Sequence, residues 1–426
     1  MRILVVGGGG REHALCSALR HENSEADLYC APGNPGTADV AVNLPIPADD
    51  TDRLADAADM HGIDLTVVGP EIPLARGLAD RLRAEGRRVF GPNAAAAQLE
   101  ASKAFAKRVM AAAGVPTAPS ESFTDLAAAL AYIDRHPEPL VVKASGLAAG
   151  KGAVVCGTRR EAGEVVRLML EEGKFGDAGR TVVVEAYLQG EEISVLALTD
   201  GEEVELLPVA QDHKRLLEGD TGPNTGGMGA YSPVSVATPE LLDRTRREIL
   251  YPTLEEMRRE RTPFSGVLYA GLMIDPAGAP WVVEFNCRLG DPEAQVVLPL
   301  VSQGLTDCLW GVASGRFPSP LSRRPEASVT TVLASRGYPE TPEHGAAINI
   351  PERLPSGVTV FQAGTARGPD GILRANGGRV LTVTAVASTF AEAQRLSREA
   401  AEAIEFEGKV FRRDIGWREA ERLQHS

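Results

Sequence analysis

The sequence predicts an α/β and α+β multidomain protein, with a parallel sheet at the N-terminus, a two-lobed middle and a small α+β region at the C-terminus. Three observations carry that prediction. The chain has 426 residues, which at roughly 150 residues per domain suggests about three domains. Residues 1–91 alternate short apolar runs with helical stretches rich in Ala, Leu and Arg, the pattern of parallel strands joined by crossovers. Farther along, the strands shorten, change period and are separated by glycine-rich loops.

Taken in order, the apolar run 3–6 leads into four glycines and a helical pattern over about 12–19. Runs at 28–31, 65–69 and 89–91 repeat the form, with helices over 53–60 and 74–83. Ligands of such sheets bind beyond the carboxyl ends of the strands, and three of those ends carry GGGGREH, APGNPGT and VGPEIPL. Residues 94–113 read as one helix ended by Gly114, with Pro116 just beyond. Strands follow over 140–143, 182–187, 193–198, 205–209, 267–274 and 281–285, with glycine-rich loops at 145–152 and 219–230. A third region begins near Arg323, with strands over 328–333, 358–362 and 379–386, the last following an Asn376-Gly377-Gly378 turn. A helix then starts at Thr389, where Thr389-x-x-Glu392 fits a capping box. The expected division is 1–101, 102–322 (a smaller lobe over about 115–190 and a larger one over about 191–322) and 323–426.

Composition excludes several function classes. Hydrophobic residues make up 43% and charged residues 24%, which is ordinary for a soluble protein with a core in each domain. The formal charge of −14, from 44 Lys and Arg against 58 Asp and Glu, argues against a nucleic-acid partner. Cys16, Cys30, Cys156, Cys287 and Cys308 form no CxxC pair and read as reduced thiols of a cytoplasmic protein. No apolar run approaches the ~18 residues of a membrane span, and MRILVVGGGG does not read as a signal peptide.

The glycine loops fail two familiar readings. Counting G-x-G-x-x-G from Gly7 or Gly8 puts Glu12 or His13 at the third small position, and no acidic residue follows the second strand, so a nicotinamide dinucleotide is disfavoured. A plain tight turn or an amide nest for a phosphate remains. GLAAGKG at 146–152 has three residues between its first glycine pair and Gly152 after Lys151, unlike a Walker A loop. It follows a strand that ends near Lys143, whose buried charge needs a partner or an anion. A flap over a triphosphate and a solvated hairpin are both compatible with it.

The acidic motifs are more specific. Glu185, Glu191 and Glu192 sit in VEAYLQGEEIS, where extended backbone suits an adenine edge and a carboxylate suits ribose hydroxyls. In WVVEFNCRLGDPE, Glu284 and Asn286 are i and i+2 on a strand and share one face, two hard oxygen ligands for Mg²⁺ shared with phosphates. Arg288 continues that face as a bidentate carboxylate donor. Residues 211–233 read as a loop of functional length that clusters Asp212, His213, Lys214 and Arg215. No HExxH, CxxC or GxSxG occurs, so zinc protease and serine hydrolase classes have no support.

In this order the motifs resemble the ATP-grasp ligases. More narrowly, GGREHAL (9–15), APGNPGT (31–37), VGPE (68–71), KASGLAAGKG (143–152), QDHKR (211–215), TGPNTGGMGAYSP (221–233), EFNCRLGDPE (284–293) and NGGRVLTVTA (376–385) are similar to the phosphoribosylamine–glycine ligase family. The resemblance implies an N-terminal Rossmann-like domain, a two-lobed ATP-grasp core and a small C-terminal domain. It also implies ligation of glycine to 5-phosphoribosylamine with ATP and Mg²⁺ (Mn²⁺ as an alternative) through a glycyl phosphate, in de novo purine synthesis.

By that resemblance Lys103, Lys143, Gly150 and Lys151 meet ATP phosphates, Glu185, Ala186 and Leu188 frame adenine, and Glu192 meets the ribose. Glu284 and Asn286 ligate metal. Arg288, Lys214 and Asp212 serve glycine and the acyl phosphate, with Gly290 beside Arg288. Gly9, Arg11 and Asn34 take the sugar phosphate. The implied partners are small molecules alone, with no nucleic acid and no membrane, and the chain is a monomer or weak dimer. Ser145 departs from the family's usual Asp. Leu272-Met273 stands where many ATP-grasp enzymes place an acidic metal ligand, which leaves Asp275 open as a second one. Another carboxylate–amine ligase, a nucleotide sensor and an NAD-dependent oxidoreductase are the alternatives, separable by a substrate panel, by turnover and by nicotinamide binding.

Overall fold

A computed structural model describes residues 1–148, 151–317 and 320–425. β1 (Arg2–Gly7), β2 (Asp27–Pro32), β3 (Val42–Asn43), β4 (Leu65–Val68) and β5 (Arg88–Phe90) form a sheet in the order β3-β2-β1-β4-β5. Every pairing is parallel. Ile3 to Val6 are wholly buried, as expected of a parallel strand covered on both faces. The helices here include α1 (Gly10–Glu22), α2 (Thr51–Met60), α3 (Glu71–Ala75) and α4 (Leu78–Ala84). The single helix expected over 74–83 is therefore two, because Gly77 takes a left-handed conformation (φ +81°) between them.

The helix expected over 94–113 is also broken. It becomes α5 (Gln98–Ala101) and α6 (Lys103–Ala113), with Ser102 extended between them (φ −141°, ψ 105°). The smaller lobe follows, with β6 (Ser120–Phe123), α7 (Leu126–Arg135), β7 (Leu140–Ala144), β8 (Ala153–Cys156), α8 (Arg159–Leu170) and β9 (Val182–Ala186). Its antiparallel sheet runs β6-β9-β7-β8, and α7 and α8 cover one face through Ile133, Val166 and Met169.

The larger lobe opens with β10 (Glu191–Thr199) and β11 (Val204–Leu206), shorter than the strand expected over 205–209. The segment 211–233 is a correction. It is not one long loop but β12 (Gln211–Asp212), β13 (Arg215–Leu217), β14 (Thr221–Asn224) and β15 (Gly229–Ser232). β16 (Gly266–Ile274) and β17 (Pro280–Asn286) complete the antiparallel sheet β11-β10-β16-β17.

The last region contributes β18 (Ala327–Ser335), β19 (Val358–Gln362), β20 (Arg379–Ala387), α9 (Phe390–Ala403), β21 (Lys409–Val410) and α10 (Trp417–Gln424). β12 and β15 join its sheet, which runs β12-β15-β18-β20-β19 with β21 also on β18. Strands from the middle of the chain thus belong to the C-terminal sheet. At α9 the Thr389 hydroxyl accepts from the Glu392 amide (3.3 Å), but the Glu392 carboxylate pairs with Arg395, so only half of the expected capping box forms. Among the described residues no helix is long and apolar enough to cross a membrane.

Candidate active site

Residues from the regions of the four larger sheets line a cleft of about 780 Å³. One wall begins at the break before α6. Ser102 accepts from the Phe105 amide (3.2 Å), while the end of β7 caps the same helix from outside. The Ser145 carbonyl accepts from the Lys103 amide (2.8 Å) and its hydroxyl from the Ala104 amide (3.1 Å). This satisfies amides that a helix start leaves open. It also places Lys103 and Lys107, one turn apart, on the cleft face.

Counting donors separates the lysines. An ammonium has three. Lys107 donates to Thr117 Oγ1 (2.8 Å) and the Ala118 carbonyl (3.1 Å) and pairs with Glu185 Oε2 (2.6 Å). Lys143 pairs with Glu185 Oε1 and donates to the Val283 carbonyl (3.1 Å), keeping one donor. Lys103 makes a single long bond to the Gly146 carbonyl (3.4 Å) and keeps two. Burial pushes the Lys103 and Lys107 ammoniums below the ordinary lysine range, opposed at Lys103 by Glu284 and at Lys107 by Glu185. The Glu185 carboxylate is therefore held between two lysines. The Ala186 amide is likewise spent, on the Pro119 carbonyl (2.9 Å). Ala186, Tyr187 and Leu188 line the cleft beside apolar Val141, Val155 and Met273. Of the flap, Leu147, Ala148 and Gly152 reach the cleft and Lys151 is exposed; Gly150 lies outside the described residues.

The opposite wall is acidic. Glu284 and Asn286 both line the cleft from β17. Burial works to raise the Glu284 pKa, but Lys214, Lys143, Lys103 and Arg288 together hold it below the ordinary glutamate range, so the carboxylate is anionic. Arg288 donates to Asn286 Oδ1 (3.2 Å) and pairs with Glu100 (2.7 Å) and Glu71 (3.5 Å). Burial works against its charge, yet these carboxylates raise its pKa. Asp212 projects from β12, and burial pushes its carboxyl up to about 8, opposed by Lys214 and reinforced by Glu293, Glu192 and Glu284. Lys214 pairs with Glu192, while Glu191 is held by Arg422 (2.8 Å) and Gln211 (2.9 Å).

An ionised glutamate beside an amide oxygen, facing open ammonium donors, fits a divalent cation shared with phosphates. Among the described residues there is no group of three or more His, Cys, Asp or Glu that could hold a metal ion. Asp275 stands apart. Its carboxylate accepts from the Ala277 and Ala279 amides and from Trp281 Nε1, closing the β16–β17 turn.

The N-terminal residues divide. Arg11 lines the cleft, but Gly9, Asn34 and Gly290 do not. The Gly9 amide donates to Glu12 Oε2 (2.7 Å), so the protein's own carboxylate occupies the proposed nest. Asn34 spends its amide on the Gly8 and Gln362 carbonyls (2.9 Å each), and its oxygen accepts from the Gly36 and Thr37 amides. The sequence reading missed Lys107, Glu71, Asp291, Glu293 and Arg379, which also line the cleft. Only Lys107 carried a local signal, four residues after Lys103 on one helix face.

Fold and cleft together define an ATP-grasp ligase. Family models for the phosphoribosylglycinamide synthetase N domain, ATP-grasp (A) domain and C domain match residues 1–100, 101–294 and 328–418. The chain belongs to the phosphoribosylglycinamide synthetase family. It is similar to a phosphoribosylamine–glycine ligase of Ralstonia nicotianae, 47% identical over 420 residues, covering 98% of this chain and 99% of the relative. It is similar also to one of Chlorobaculum tepidum, 48% identical over 423 residues, with 98% and 99% covered. A crystal structure of the Thermotoga maritima phosphoribosylamine–glycine ligase superposes with a TM-score of 0.85 at 34% identity, covering 97% of this chain and 100% of that one. A biotin carboxylase domain from Hydrogenobacter thermophilus, complexed with MgADP, shares the fold at a TM-score of 0.72 and 19% identity, with 96% and 91% covered.

Proposed function

We propose that this chain ligates glycine to 5-phosphoribosylamine at the expense of ATP, giving glycinamide ribonucleotide, ADP and phosphate in de novo purine biosynthesis. The observation that supports this reading best is the allocation of donors in the cleft. Lys103 and Lys143 keep ammonium donors open opposite Glu284 and Asn286, matching a triphosphate and the cation it carries.

Lys103, Lys143 and the flap with Gly150 and Lys151 receive the phosphates. The adenine packs on the apolar wall, read by backbone groups of 186–188, and Glu192 faces the ribose. Glu185 acts at one remove, by pinning Lys143. Glu284 and Asn286 hold Mg²⁺, or Mn²⁺, which when bound neutralises phosphate charge. Arg288 orients the glycine carboxylate, whose oxygen attacks the γ-phosphorus and displaces ADP. Lys214 and Asp212 flank the amino acid. The ribosylamine nitrogen then attacks the acyl carbon of the glycyl phosphate, phosphate leaves, and the nitrogen gives up a proton. Positioning and charge neutralisation carry the catalysis. Gly9, Asn34 and Gly290 shape the site from behind rather than touch substrate. The five cysteines are buried and free, which supports a reducing compartment; we place the enzyme in the cytoplasm as a monomer or weak dimer.

ADP release, measured with glycine or phosphoribosylamine omitted in turn, tests the reading. Full release requires both. Release that ignores either omission, or product formed with another amine in place of phosphoribosylamine, sinks it.

A further inference from the structure

Beyond the metal-binding wall the cleft continues to a second group of cations. Arg11 comes from α1, Arg288 from the segment after β17 and Arg379 from the start of β20, and all three line the cavity. They gather around Asp291, whose pKa burial would raise but Arg379, Arg11 and Arg288 hold down.

Donor counting again distinguishes them, since a guanidinium has five. Arg288 donates to Asn286 Oδ1 and the Leu289 carbonyl (3.2 Å each) and its buried Nε makes no hydrogen bond, but its charge is already balanced by two carboxylates, Glu100 and Glu71. Arg379 makes its hydrogen bonds through Nη1 alone, to the Gly226 and Asp291 carbonyls (2.7 Å each), and the same nitrogen pairs with the Asp291 carboxylate (3.3 Å). Among the described residues its Nε and Nη2 make none. Arg11 uses Nε for Glu12 (2.6 Å) and Nη1 for the Leu289 carbonyl (3.2 Å), leaving Nη2. Two positive side chains, from opposite ends of the sequence, therefore carry unspent donors into one cavity. Donors in that arrangement suit an anion with several acceptor oxygens.

We propose that Arg11 and Arg379 receive a phosphate monoester at this end of the cleft, the 5-phosphate of the ribosylamine. The assignment rests on the ligase reading above; of the Gly9, Arg11 and Asn34 set that the resemblance implies it keeps Arg11, and it puts Arg379 in place of Gly9 and Asn34, whose polar groups are spent. It also separates like charges. The sugar phosphate lies past Arg288, away from the triphosphate beside Lys103 and Lys143, and the amine points back toward the acyl carbon.

The test uses the full-length enzyme with a non-hydrolysable ATP analogue and Mg²⁺, titrated calorimetrically with ribose 5-phosphate and separately with inorganic phosphate. Arg379→Gln and Arg11→Gln each keep a donor for the neighbouring carbonyl while removing the charge. Ribose 5-phosphate is expected to bind one per chain and to weaken on the order of 10- to 100-fold in either variant, with inorganic phosphate weaker throughout. In turnover, KM for phosphoribosylamine rises by a similar factor, while the affinity for the ATP analogue stays within twofold and so reports an intact fold. Binding unaltered by both substitutions, or inorganic phosphate binding as tightly as the sugar phosphate, overturns the inference. If wild-type enzyme makes product and KM is unmoved in Arg379→Gln, this site alone fails; if wild-type enzyme makes no product, the ligase reading fails first.

Discussion

At the scale of single residues, the cleft is organised by which polar atoms are already spoken for. Glu284 is half-buried and kept ionised by three lysines and an arginine. Glu284→Gln is nearly isosteric, removes the anionic ligand and leaves those cations unbalanced. Turnover should fall on the order of 10²-fold or more, while metal-free nucleotide binding changes little; turnover within threefold of wild type removes Glu284 from the metal site. Lys107 offers a contrasting case because it is held by Thr117, the Ala118 carbonyl and the Glu185 carboxylate. Lys107→Met should cost about 3–5 kcal/mol, the cost of breaking one side of a buried ion pair, read by chemical denaturation. It should also raise KM for ATP, because Lys143 then neutralises Glu185 alone. Lys107→Arg should recover part of both. An unchanged KM with lost stability would make Lys107 merely structural. That Glu284 and Asn286 line one cleft from one strand was legible because their i, i+2 spacing is a local property. The spent state of Glu185 and Asn34 was not, since it depends on Lys107 and Gln362 in other elements.

At the scale of elements, the break between α5 and α6 decides where Lys103 points. A continuous helix over 94–113, as the Ala-rich sequence suggests, would carry Lys103 mid-helix with its amide bonded to its own chain. Instead Ser145, 43 residues away from Ser102, supplies the caps. Ser145→Ala keeps the carbonyl bond and loses the hydroxyl cap, so a loss of about 1 kcal/mol is expected. Because Lys103 follows the capped turn, KM for ATP should rise severalfold with kcat less affected. A variant with wild-type stability and wild-type KM would show that the cap does not position the lysine. The strands of the first sheet were readable from apolar runs bounded by glycine and proline. The 211–233 strands were not, because they are short, polar and glycine-rich, and the pair β12–β15 joins a sheet only where β15 meets β18, almost a hundred residues later in the chain.

At the scale of the molecule, the ends of the chain are locked together. His13 of α1 is buried, and its Nδ1 accepts from the Gln362 amide of β19 (2.8 Å). Burial lowers its pKa to about 4 from the usual 6.5, against an opposing pull from Asp39. The folded state thus prefers neutral imidazole, and the unfolded state binds more protons between those values. Stability from this group is complete above about pH 6.5 and is lost as pH falls toward 4, by about 3 kcal/mol at most. Thermal unfolding from pH 7.5 to 4.5 should show that loss in wild type and a flatter profile in His13→Gln; parallel profiles would contradict it. A second lock is the buried Arg412, which donates to Asp220 (2.8 Å) and Asp414 (2.7 Å) and so ties the β13–β14 hairpin to the C-terminal segment. These contacts explain why β12 and β15 sit in the C-terminal sheet rather than in the lobe their sequence position suggests.

Periodicity and the i, i+2 spacing of Glu284 and Asn286 act within one element, so the parallel sheet, most strands of the lobes and that shared face could be read from the residues alone. Only the tertiary structure decided which donors stay open, where two helices break and which arginines share a cavity. A hydrogen-bonding group is free or spent according to neighbours brought from distant parts of the chain, and local spacing holds no record of them.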